Sequence, residues 1–262
     1  MRCRWILSFA LLLSAGCRSV RNLGPADAEL LRYVPQETIA LGGLRLQELR
    51  ASPVFQKLPV QKQWADRKDI QELVAAFDGK NVVLIARGTF RPGDPEAKEW
   101  TIVDSRTALA GDPAAVRAAM DRRKNGGSPL ALVTRVQALP RHNQVWAIAD
   151  QRLAAVIPRT GNLSNLHKFF GPMQDLVLLA EVGESLHATL TGAFATEKDA
   201  QELGVAARGI LGLGRLSIPP NQPDLERLYD TVSVQQKQRS IQVEATVPRE
   251  LIDRLSTLSI GR

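Results

Sequence analysis

Near its C-terminus the chain reads Ile241-Gln242-Val243-Glu244-Ala245-Thr246-Val247-Pro248, apolar and polar residues alternating up to a proline. Period-two alternation places the apolar side chains on one face of a β-strand. Pro248 suits the first turn of a helix, and Leu251, Ile252, Leu255 and Leu258 then recur at helical spacing. Just upstream, Val232 to Val234 alternates in the same way, so the two runs read as an antiparallel hairpin. Further upstream, Val177 to Leu179 and Leu186-Ala188-Leu190 flank Gly183-Glu184, a pair suited to a type II′ turn. Between the hairpins a helix is predicted from Glu197, with Ala200, Leu203, Ala207, Ile210 and Leu211 on one side. Gly209-Ile210-Leu211-Gly212-Leu213-Gly214 has the wrong glycine order for a phosphate-binding loop, and no Walker lysine follows. It reads instead as the end of that helix, with Gly212 or Gly214 as a left-handed cap.

The first half is read from weaker signals. Ala26 to Tyr33 predicts a short helix stopped by Pro35, and Thr38 to Leu46 a strand with Gly42-Gly43 inside it. Ser52-Pro53 resembles a helix start, and an irregular helical pattern runs on to Phe77, broken at Pro59. Asp78-Gly79 makes a turn into the strand Val82 to Ala86. Trp100 to Val103 and Thr107 to Ala110 are the next strands, and Asp112-Pro113 opens a helix with Ala115, Val116, Ala119 and Met120 on its apolar face. Asn125-Gly126-Gly127 ends it, Ser128-Pro129 starts another helix, and Gln144 to Ala149 returns to strand.

Hairpins set between helices predict an α+β fold rather than alternating βα units. The expected arrangement is two small lobes of antiparallel strands with packed helices, related as a diverged duplication. Thr38 to Leu49 would correspond to Gln144 to Val156, and Thr107 to Met120 to Ile241 to Leu255. The expected organisation is a signal peptide over 1–16, a tether with a short helix over 17–36, and lobes over 37–139 and 140–262. Val34-Pro35-Gln36-Glu37-Thr38, Ser52-Pro53 and Gly111-Asp112-Pro113-Ala114-Ala115-Val116 resemble the "VPxxT", Ser-Pro and "GDPxxV" signals of uncharacterised bacterial envelope lipoproteins. That resemblance brings no function with it.

The N-terminus carries the sharpest signal. Met1-Arg2-Cys3-Arg4 is followed by an apolar run from Trp5 to Leu13 and then by Ser14-Ala15-Gly16-Cys17. A basic start, a short apolar stretch and small residues are the parts of an export signal. The stretch falls short of the ~20 residues that a membrane-spanning helix needs. Leu13-Ser14-Ala15-Gly16-Cys17 resembles the lipobox of bacterial lipoproteins, with Ser14 where the family more often has Leu. The resemblance implies cleavage between Gly16 and Cys17, a diacylglycerol (largely palmitate-type chains) on the Cys17 sulfur, and acylation of the new amino group. It further implies a cell-envelope location, at the outer membrane where the cell has two, since Arg18 is not the Asp that marks retention at the inner membrane. Cys17 would then be the only cysteine left of the chain's 2.

The 262 residues include 34 Lys and Arg against 27 Asp and Glu, are 44% hydrophobic and only 5% aromatic. Those values exclude a disordered or collagen-like chain. Residues 17–139 hold 19 basic and 14 acidic side chains, whereas residues 140–262 hold 13 of each, so the positive excess lies nearer the expected anchor. Arg122-Arg123-Lys124 is the one dense basic run and reads as the solvated end of a helix; without interleaved aromatics it does not point to nucleic acid.

Catalytic chemistry is not legible. His142 reads as an exposed turn residue, His187 as part of a polar strand face, and Ser164, three residues before His167, as a helix cap rather than a nucleophile. No G-x-S-x-G elbow or H-E-x-x-H motif occurs, and Asp94, Glu96 and Glu99 lack the spacing of a calcium loop. The expectation is therefore no catalytic residue, no metal and no cofactor, in a lipid-anchored protein that binds or scaffolds another envelope component. The alternatives are an envelope hydrolase of unfamiliar type, using a carboxylate pair or one histidine, and a small-ligand carrier with an apolar cleft between its lobes.

Overall fold

A computed structural model describes residues 24–58, 67–91, 99–128, 130–157 and 170–260. Cys17, Gly16, Asp94, Glu96, Ser164 and His167 lie outside the described residues.

The fold is α+β, built on one antiparallel sheet of 10 strands. In chain order these are β1 (Ala40–Leu44), β2 (Ile70–Phe77), β3 (Val82–Gly88), β4 (Thr101–Asp104), β5 (Thr107–Gly111), β6 (Val145–Asp150), β7 (Met173–Val182), β8 (Ser185–Phe194), β9 (Val232–Lys237) and β10 (Ser240–Pro248). Their spatial order is β4-β5-β3-β2-β1-β6-β7-β8-β10-β9. Read outward from the centre, each half repeats one plan: β1-β2-β3-β5-β4 on one side, β6-β7-β8-β10-β9 on the other. The correspondence expected from sequence falls on equivalent strands, β1 with β6 and β5 with β10. The two first strands pair antiparallel, Gly43 opposite Trp146, and so fuse the halves into a single sheet. The join is tight: a Cβ on Gly43 would lie 2.3 Å from the Trp146 ring.

Among the described residues eight α-helices cover the two faces. On one face α1 (Ala28–Leu31), α3 (Pro113–Asn125) and α4 (Ala131–Ala138) bury Leu30, Ala119 and Val136 against Val74, Ile85, Leu109, Trp146 and Ile148. On the other, α2 (Leu46–Ala51), a 3-10 turn over Phe55–Lys57 and α8 (Arg249–Ile260) bury Leu46, Leu49, Leu251 and Ile252 against Ile70, Leu73, Ala86, Val182 and Val247. That second cluster draws on both halves. The same face continues beneath α6 (Glu197–Leu216) and α7 (Pro223–Asp230), while the short α5 (Leu153–Val156) follows β6.

Several local expectations are corrected. The helical pattern up to Phe77 is in fact strand β2, because both faces of this strand are covered and Leu73-Val74-Ala75-Ala76 shows no alternation. Leu46 begins α2 rather than ending a strand, and Ser52 closes that helix; its hydroxyl accepts from the Phe55 N–H at 3.2 Å to start the 3-10 turn. Gly183 does not have the positive φ of a type II′ turn; among the described residues the positive-φ glycines are Gly79, Gly111, Gly126 and Gly127. Neither Gly212 nor Gly214 caps α6, which runs on to Leu216 and ends at Ser217. Helix α7 has no counterpart in the sequence reading.

Candidate functional site

Strands β8, β10 and β9 have one apolar and one polar face. Leu190 stands opposite Val243, which stands opposite Val234, and Gly192 faces Ile241. One residue along, Thr191, Gln242 and Gln235 line up on the opposite face, as do Thr189, Glu244 and Ser233. His187 belongs to that polar face, its Nδ1 2.8 Å from the Thr246 hydroxyl, as a surface residue should be. His142 is exposed in its turn, also as expected.

Helix α6 roofs the apolar face. Its start is well specified: Thr196 is the N-cap, accepting from the Asp199 N–H at 3.1 Å, and Glu197 and Asp199 complement the helix dipole. Ala200 and Gly204 are its only buried residues, so the helix meets the sheet closely only over its first turns. Farther along, Leu203, Ala207 and Leu211 are half-buried, and Ile210 is 54% exposed. Between this stripe and Phe194, Leu190, Val234, Ile241 and Val243 lies a cleft of about 330 Å³. That volume is at the lower end of the range for small-molecule sites. Gly192 leaves part of the floor open, for a Cβ there would meet the Met173 side chain at 3.0 Å.

The far end of α6 is held by α7 and not by the sheet. Gly214 allows the Tyr229 ring to approach so closely that a Cβ would be 2.7 Å away. Arg215 pairs with Glu226 at 3.3 Å and Asp230 at 2.6 Å. Arg254 of α8 in turn reaches Asp224 at 3.3 Å. The prop keeps α6 extended over the cleft while Leu213 and Leu216 remain 67% and 84% exposed.

Two polar features lie elsewhere. A groove of about 500 Å³ on the opposite face lies near Glu37, Asp78, Asn81 and Arg122, the last three of which are engaged locally. Asp78 accepts from the N–H groups of Lys80 and Asn81 at 2.8 and 2.7 Å, and Arg122 donates to the carbonyls of Gly126 and Ser128. The second feature is Glu72 on β2, whose carboxyl is pushed up to about 7 by burial; the hydrogen bond from the Asp27 N–H opposes the rise, the Asp27 charge adds to it, and Arg45 and Arg87 oppose it. Glu72 accepts from the Asp27 N–H at 2.7 Å, and Arg87 pairs with Asp27 at 2.7 Å. This network fastens the segment around α1 to the sheet and opens on no cavity among those described. Sequence reasoning missed Glu72; the available signal was a glutamate between Ile70 and Leu73 in a segment too apolar to be exposed.

Among the described residues no group of three His, Cys, Asp or Glu side chains could hold a metal ion, and no helix is long and apolar enough to cross a membrane. Glu99 is exposed, and Arg122-Arg123-Lys124 forms the last turn of α3.

No family model and no curated protein matches the chain. Among solved structures, crystal form III of TP0453 aligns with a TM-score of 0.51 at 10% identity, over 87% of this chain and 97% of that one. The fold resembles that of TP0453. Crystal forms I and IV of the same protein align at TM-scores of 0.47, with 12% and 10% identity, over 89% and 87% of this chain and 98% and 95% of theirs. At such identity the likeness concerns the fold alone.

Proposed function

We propose that this chain is an exported lipoprotein, anchored through lipid on Cys17, that holds an elongated apolar molecule between α6 and the sheet. The observation that carries the binding reading is the cleft itself: about 330 Å³, lined by aliphatic and aromatic side chains, and left open where α6 parts from the strands. Apolar surface of this kind favours transfer of hydrocarbon from water, worth ~0.8 kcal/mol for each buried methylene. Binding is favoured over catalysis because Glu72, the one carboxyl among the described residues held far above its usual range, sits on the opposite face of the sheet from the cleft. The cleft lies within the second half and not between lobes, so the carrier proposed here differs in place from the one expected from sequence. The anchor rests on the lipobox-like Leu13 to Cys17. A lipobox protein carries more than one acyl chain, which is what stable anchoring takes.

The ligand reading is tested by titrating the full chain carrying Cys17→Ser with a fluorescent fatty acid. Saturable binding is expected, and Ala207→Trp, which fills the cleft from the helix side, should abolish it while leaving the circular dichroism unchanged. Equal binding by both proteins would refute the reading. The anchor is tested by Cys17→Ala, which should release the protein from membrane pellets or leave an uncleaved precursor; normal mature, membrane-bound protein would refute it.

A further inference from the structure

We propose that the sheet face carrying α1, α3 and α4 lies against an anionic phospholipid surface, with the apolar cleft turned away from it. The inference rests on the reading of Cys17 as an anchor. Gly24, the first described residue, is packed against α4 so closely that a Cβ would lie 2.6 Å from the Val136 carbonyl oxygen. Residues 17–23 connect it to the lipid, and seven residues span at most about 25 Å. The side of the body that holds Gly24 is thus kept close to the bilayer. Helices α1, α3 and α4 are on that side, and the cleft beneath α6 is on the other.

Helices α1, α3 and α4 differ in charge from α6 and α7. Residues 24–34 and 112–141, which contain α1, α3 and α4, carry seven Lys and Arg against four Asp and Glu, with Arg135 paired to Asp175 of β7. Residues 195–231, which contain α6 and α7, carry four against six. On α3, Arg117 and Lys124 are exposed, and among the described residues neither enters an ion pair. Arg122 donates to carbonyls and not to an acid. Arg123 and Arg32 share one acid, Glu29, at 3.5 and 3.3 Å. Each cation near an anionic membrane adds roughly fivefold in affinity, within a Debye length of about 8–10 Å. The net-acidic α6–α7 segment would be repelled. Leu213 and Leu216 of α6 are the competing membrane-facing surface, but they lie across the sheet from Gly24, and one flat bilayer cannot touch both. The consequence is that ligand enters the cleft from the aqueous side rather than from the bilayer that holds the anchor.

The test uses the full chain with Cys17→Ser, sedimented with vesicles of phosphatidylcholine alone or with one-third phosphatidylglycerol. Binding is expected only to the anionic vesicles and should fade at high salt. Arg117→Glu with Lys124→Glu should weaken it by roughly thirtyfold or more, whereas Lys198→Glu with Arg208→Glu on α6 should not. Binding lost through the α6 pair, or equal binding to neutral vesicles, would overturn the proposal. Mass spectrometry of the wild-type chain tests the anchor separately. An unacylated Cys17 with intact anionic binding overturns the anchor alone, and an acylated Cys17 without lipid-charge dependence overturns the orientation alone.

Discussion

The two halves of the sheet share a strand order and differ in one connection. In the first half the chain passes from β3 to β4 through residues 89–100, and both faces of the sheet are sealed: Val74, Ile85 and Leu109 are fully buried on one side, Leu49 and Ile70 on the other. In the second half the equivalent passage, from β8 to β9, takes residues 195–231 and holds α6 and α7. There Leu190 is still 36% exposed beneath its roof, and the opposite face of β8, β10 and β9 is polar. A shared scaffold with one enlarged connection is how loops and their insertions commonly acquire binding roles. The first half behaves as core and mount, the second as a partly open version of the same plan.

Mutations that treat the halves alike or differently probe this contrast. Trp146→Ala strikes the seam and should cost about 3–5 kcal/mol. Denaturant unfolding followed by fluorescence and by circular dichroism should stay a single transition, because the second buried cluster is drawn from both halves. Two separated transitions would show that the halves are independent. Ile85→Ala, in the sealed half, should cost about 2–5 kcal/mol in the same assay, and Leu190→Ala, over the cleft, under ~1 kcal/mol. Equal costs would mean that the cleft is filled by protein.

Glu72 supplies a pH test confined to the first half. Its carboxyl is raised to about 7 in the folded protein, from an ordinary value of 4.5. The folded state therefore holds its proton more tightly. Its stability relative to the unfolded chain falls as pH rises from about 4.5 to 7 and is level above that. Glu72→Gln keeps an acceptor for the Asp27 N–H and removes the ionisation, so it should stabilise the protein by about 2–3 kcal/mol at pH 8 and hardly at all at pH 4. A pH-independent effect, measured by urea unfolding, would remove Glu72 as the titrating group. The smallest effect expected is on α6: Gly212→Ala, with nothing within 4 Å of its Cβ, should add up to ~1 kcal/mol of helix stability. Gly214→Ala, set against Tyr229, should instead destabilise the helix. Thermal melts that rank the two the other way would contradict the described packing of α7.

How well each half could be read from sequence follows from the same contrast. Strands β8 and β10 have one wet and one dry face, so Leu190 and Val243 alternate with Thr189, Thr191, Gln242 and Glu244 and announce themselves. Strand β2 is covered on both faces; its apolar run has no period, and the spacing of Ile70, Leu73, Val74 and Phe77 mimics a helix. Helix α7 was hidden by Pro219, Pro220 and Pro223, which look like a loop although Pro223 opens the helix. The cleft was illegible for a different reason. Ala200, Leu203, Ala207 and Leu211 form the same stripe whether they meet the sheet or stand off from it, and only the strand positions reveal the gap. The warning sign was a helix with glycines at 204, 209, 212 and 214 and apolar residues at Val205, Leu213 and Leu216 outside that stripe.

The most direct test is methyl NMR of the full chain carrying Cys17→Ser during titration with a medium-chain fatty acid. Shifts are expected at Leu190, Leu203, Ile210, Ile241 and Val243, saturating together, while Ile85 and Leu109 in the first half stay fixed. Saturating shifts in the first half, or none at the methyls of the cleft, would contradict the assignment of binding to the space beneath α6.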